Sequence, residues 1–67
     1  MIRVGDIVTV RSKYGGSIRT SGTGVVVKLV TTGNMHLANT IWTTPRPGSE
    51  PQHRQDFLSH LIRVEDA

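Results

Sequence analysis

Apolar residues recur at every second position along most of this chain, and no stretch makes a convincing amphipathic helix. Ile2, Val4, Val8 and Val10 share one parity, while Arg3, Thr9 and Arg11 take the other. Such alternation is the signature of a strand with one face buried. Gly5-Asp6 interrupts it and reads as a turn or bulge feeding a first strand over about Asp6 to Arg11. Val25 to Val30 is rich in β-branched residues and places Val25, Val27 and Leu29 on one face of a second strand. Met35 to Thr43 forms a third, with Met35, Leu37 and Ile41 on one parity and His36, Thr40 and Trp42 on the other.

The connections are as telling as the strands. From Ser12 to Gly24 the chain holds Gly15, Gly16, Gly22 and Gly24 among Ser and Thr residues, which predicts a long bent loop over 12–24 and no helix. Thr31-Thr32-Gly33-Asn34 supplies a hairpin connection in which Gly33 and Asn34 both tolerate positive φ. Pro45, Pro47 and Pro51 each remove a backbone donor, so 43–55 is expected to be a Pro-rich loop. Phe57-Leu58 and Leu61-Ile62 flank Ser59-His60, a pattern that fits one turn, capped by Asp56, followed by a short closing strand at Ile62 to Val64.

With 67 residues there is material for one domain, and a chain this short buries only about 60% of its unfolded surface. One thin core must hold the fold. There is no cysteine to staple it, which fits a cytoplasmic or intravirion setting. No run approaches the ~20 apolar residues of a membrane span, and Met1-Ile2-Arg3-Val4-Gly5-Asp6 lacks the plan of a signal peptide. The expectation is a soluble protein that does not contact membranes. Short strands joined by turns predict an all-β fold of four to five antiparallel strands. Closing them into a barrel would remove the exposed edges of so small a sheet.

Val4-Gly5-Asp6-Ile7-Val8-Thr9-Val10-Arg11, Gly22-Thr23-Gly24-Val25-Val26-Val27-Lys28, Ile41-Trp42 and His60-Leu61-Ile62-Arg63-Val64 together resemble the SH3-like barrel superfamily. In that family a strand with a Gly-Asp start leads into a long loop, a second strand carries Gly-x-Gly, and a 3₁₀ turn precedes the last strand. The resemblance covers almost the whole chain and is strongest to the small stand-alone barrels of tailed bacteriophages, including those of cyanobacteria. It implies a viral protein of the host cytoplasm or virion, acting as an accessory, virion or host-directed effector protein. The outline is also similar to KOW-type barrels of ribosomal and transcription proteins. The chain differs from them in lacking a dense basic stripe beside its glycine motif.

Catalytic and metal chemistry find little footing. His53 and His60 are seven residues apart with no cysteine nearby, which is not the spacing of a metal site. Asp56, Ser59 and His60 are the residue types of a hydrolytic triad, but adjacency in sequence does not supply convergent geometry or an oxyanion hole. The glycines between Gly15 and Gly24 are not followed by the Lys-Ser/Thr of a phosphate-binding loop. The chain is therefore read as a non-enzyme with no cofactor and no metal.

Two binding readings remain. In the first, the protein docks another protein, of phage or host origin, through Tyr14, Trp42, Arg46, His53 and Arg54, and a homo-oligomer belongs to the same class. Trp42 itself has two readings, as core or rim packing and as an exposed contact residue. In the second, nucleic acid binds to Arg3, Arg11, Lys13, Arg19 and Lys28 with Tyr14 or Trp42 stacking on a base. Residues 1–30 carry five cations against Asp6 alone, whereas residues 31–67 carry three cations and four anions. Protein docking is favoured, because the cations do not form one dense stripe.

Overall fold

The computed structural model of the protein describes residues 1–16, 22–43 and 50–67. It is all-β. Strands β1 (Ile7–Val10), β2 (Thr23–Thr32), β3 (Met35–Thr43), β4 (Gln52–Phe57) and β5 (Leu61–Arg63) form one antiparallel sheet in the order β4-β3-β2-β1-β5. Three single 3₁₀ turns accompany them, at Ser12–Tyr14, Leu58–His60 and Val64–Asp66. No helix among the described residues is long and apolar enough to cross a membrane.

The expected closure into a barrel is not found. Among the described residues β4 hydrogen-bonds to β3 alone and β5 to β1 alone, so each end strand keeps an edge that no other described strand pairs with. The sheet nevertheless buries one face. Val8, Val26, Ala38, Trp42 and Leu61 form the core, drawn from four of the five strands, and Ile2, Val10 and Leu58 pack against it.

β1 is pinned on both sides. Ile7 lies opposite Val25 and Val8 opposite Gly24 on β2, while Val8, Thr9 and Val10 face Arg63, Ile62 and Leu61 on β5. The closing strand thus pairs with the N-terminal one as expected, though it ends at Arg63 and Val64 begins a turn. Arg63 holds that turn through Asp66 and Glu65, at 2.8 and 2.9 Å. The hydrogen bond that it donates to Asp66 is the main reason its guanidinium pKa is raised above the ordinary value.

β2 and β3 pair from Thr23 opposite Thr43 to Thr32 opposite Met35, leaving Gly33-Asn34 as a two-residue turn. Gly33 has φ of 57°, and no non-glycine residue described has positive φ, so Asn34 does not use the freedom expected of it. The buried side of β2 also differs from the alternation. Val26 is fully buried, whereas Val25 and Val27 are exposed. A bulge between Val26 and Lys28 then shifts the register, so Leu29 falls opposite Ala38 and no longer shares a side with Val25. On β3 the buried residues are Ala38, Thr40 and Trp42, and the parity of Met35 and Ile41 points outward.

Three further expectations need correction. Residues 52–55, placed within the Pro-rich loop, belong to strand β4, which runs on to Phe57, and Thr43 belongs to β3. Gln-His-Arg-Gln-Asp-Phe has neither alternation nor β-branching, and it extends because β3 offers it a ladder. The glycine-rich stretch likewise contains a 3₁₀ turn at its start, and β2 begins at Thr23. Asp56 does not cap the following turn. It sits in β4, where its carboxylate accepts hydrogen bonds from Arg54 at 2.9 Å and Thr40 at 3.5 Å.

Candidate functional site

The best-defined surface feature is built where the first loop meets the turn before β5. After β1 the Arg11 N–H donates to the His60 carbonyl at 2.8 Å, which ties the two segments together. The chain then makes one 3₁₀ turn, with Tyr14 N–H returning to the Arg11 carbonyl at 2.9 Å. Gly15, at φ of 82°, ends that turn in a conformation costly for other residues. Gly16 follows in close contact, since a Cβ there would lie 2.2 Å from the Val10 carbonyl oxygen. These constraints present Tyr14 to His60.

The two rings meet with centroids 4.1 Å apart and planes tilted by 36°. On the other side of His60, Phe57 makes an edge contact at 5.3 Å. Tyr14 and Phe57 remain 45% and 43% exposed, so this is an aromatic shelf on the surface and not a part of the core. The Lys13 ammonium stands 5.1 Å from the Tyr14 ring centroid, within reach of a cation–π interaction. Beyond Phe57 the shelf continues into a shallow cleft of about 460 Å³ lined by Asn34, Met35, His36, Leu58 and Ser59. Met35 is 46% exposed there, which extends the apolar surface along one direction.

The expected site residues are distributed differently. Tyr14 is at the centre of the shelf. Trp42 is 2% exposed, packed so closely on Gly24 that a Cβ at that position would come within 2.9 Å of the indole. It is a core residue, and its indole N–H has no hydrogen-bond partner among the described residues. Arg54 covers the Trp42 ring at 4.8 Å and is paired with Asp56, so it shields the core. His53 is exposed on β4, opposite Ile41. Arg46 and Arg19 lie outside the described residues.

The other cations do not converge. Arg11 precedes the turn that carries Tyr14, and Lys13 lies within it. Arg3 precedes β1, where its backbone N–H donates to Asp6 at 2.8 Å, and Lys28 lies on β2 opposite Asn39. Of the triad-type residues, His60 is in the aromatic stack and Asp56 is held by Arg54 and Thr40. Sequence reasoning missed His60, Phe57 and Met35 as surface partners of Tyr14. Nothing in their spacing signals it, because Tyr14 and His60 are brought together by the pairing of β1 with β5.

No protein-family model matches the chain, and no curated protein or solved structure matches it significantly.

Proposed function

We propose that this protein is a non-catalytic docking module that holds another protein on the shelf formed by Tyr14, His60 and Phe57. The observation that carries this reading is the exposed aromatic stack itself. Partly exposed rings fixed by neighbours offer large contact area with little side-chain entropy left to lose, which is what a binding hot spot requires. The cleft beside Met35 adds an apolar extension for a partner side chain. The SH3-like reading is supported by the strand order β4-β3-β2-β1-β5 and by the 3₁₀ turn between the last two strands. Resemblance to the small phage barrels supports a viral accessory, virion or host-directed protein, acting in the host cytoplasm or the virion.

The test compares partner capture by the wild-type protein with Tyr14→Ala and Phe57→Ala. Both substitutions should abolish capture of a partner that Val27→Thr, at an exposed position of β2 outside the shelf residues, retains. Retention of the partner by Tyr14→Ala would overturn the reading.

Lys13 beside the Tyr14 ring, with Arg11 at the start of the same turn, favours one second reading, a single-stranded nucleic acid stacked on the same shelf. Its signature is binding of a labelled oligonucleotide that weakens steeply with added salt. Failure to bind at low salt would remove it.

A further inference from the structure

We infer that the free edge of β4 pairs with the same edge of a second copy of this chain, in one specific register. This edge shares Phe57 with the aromatic shelf, but the pairing does not depend on the identity of the shelf's ligand. Of the two edges left open among the described residues, β5 is three residues long and runs straight into the turn held by Arg63. β4 is six residues, pairs with β3 without a break in register, and contains no proline or glycine. Its outer side presents backbone donors and acceptors ready for a further strand.

Edge strands are commonly protected by charge, since like charges repel an incoming copy. β4 carries Arg54 and Asp56, which share one face and already touch at 2.9 Å. Their order matters. A two-fold axis normal to the sheet keeps matching faces together, so directly opposed residues must have numbers that sum to an even value. With Gln55 opposite Gln55, each Arg54 faces Asp56 of the other copy, and the four charges form a square of alternating sign. His53 then lies opposite Phe57 of the second copy, covering a ring that is 43% exposed in the single chain. The neighbouring registers put Arg54 on Arg54 or Asp56 on Asp56. Charge complementarity therefore selects both the occupant and the register, and it brings His53 of the second copy beside the outer end of the aromatic shelf.

The chain has no cysteine, so Gln55→Cys introduces a single thiol. In the inferred pairing the two Cα atoms are about 4.5–5.5 Å apart, inside the roughly 4.4–6.8 Å that a disulfide spans. Mild oxidation should convert Gln55→Cys to a disulfide dimer far faster than Thr31→Cys, an exposed control at the tip of the β2–β3 hairpin. Equal rates would overturn the inference. Sedimentation of the wild-type protein should show a concentration-dependent dimer, and a monomer persisting to about 1 mM would also overturn it. Arg54→Asp should weaken the dimer by about tenfold or more, and adding Asp56→Arg should restore it by reversing the square. A double variant that dimerises no better than Arg54→Asp, while circular dichroism shows it folded, would refute the register. The disulfide experiment stands whether or not the charge variants fold.

Discussion

Gly24, Val26, Ala38, Thr40 and Trp42 at the base of the β2–β3 hairpin are buried, whereas Leu29, Thr31, Thr32, Met35 and His36 toward its tip are exposed. Both halves are paired along their length and both are rich in strand-forming residues. The difference lies in what flanks them. β1 reaches along β2 as far as Val25, and the preceding turn adds backbone hydrogen bonds between Gly5 and Val26 and between Val26 and Asp6, at 2.8 and 3.0 Å. β4 reaches along β3 to Leu37. Past those limits the hairpin is a two-stranded ribbon, an arrangement with marginal stability of its own. The bulge between Val26 and Lys28 falls where the flanked part ends. Strand propensity thus sets where the hairpin forms, and neighbouring strands set which part of it contributes to the core.

That contrast can be broken most forcefully at Trp42. Trp42→Ala should cost about 3–5 kcal/mol, against a total stability of roughly 3–10 kcal/mol for a chain of this size. Circular dichroism and urea titration should find the variant largely unfolded. An intact fold would mean that the base of the hairpin is not where the stability lies.

A finer test sets two adjacent residues against each other. Val26→Ala should lower stability by about 2 kcal/mol, through lost burial and the cavity left behind. Val27→Ala should change it by less than about 0.5 kcal/mol. Equal losses in urea titrations would show that the assignment of buried and exposed sides on β2 is wrong.

At the tip, Gly33→Ala meets no steric obstacle within 4 Å but must adopt positive φ. The expected loss is about 1 kcal/mol, and hydrogen exchange should show it chiefly in the amides of the ribbon. The smallest effect belongs to His36→Ala. It removes a 3.4 Å contact with Thr31 between two exposed side chains, and the urea midpoint should shift by less than about 0.5 kcal/mol equivalent. A larger shift would show that the tip is packed against something.

Much of this architecture was readable from residue order. The third strand spans Met35 to Thr43 in both the alternation and the structure, and the short apolar run after a turn marked a closing strand, whose partner β1 is given by the structure. β4 was not readable, because a polar edge strand satisfies its backbone on one side only and needs no apolar repeat. Nor was the role of Trp42. An isolated tryptophan near a strand end has no local mark of burial, and here the missing side chain of Gly24 makes the room for it. The candidate site was legible only at Tyr14.

By itself the sequence determined an all-β chain, the places where it turns, and most of its strands, because alternation and glycine act through local backbone geometry. The tertiary structure alone decided that the sheet stays open, that Val26 and not Val25 faces the core, and that Tyr14 meets His60. Those outcomes depend on register, on a single bulge and on pairing between opposite ends of the chain, none of which leaves a local trace in residue order.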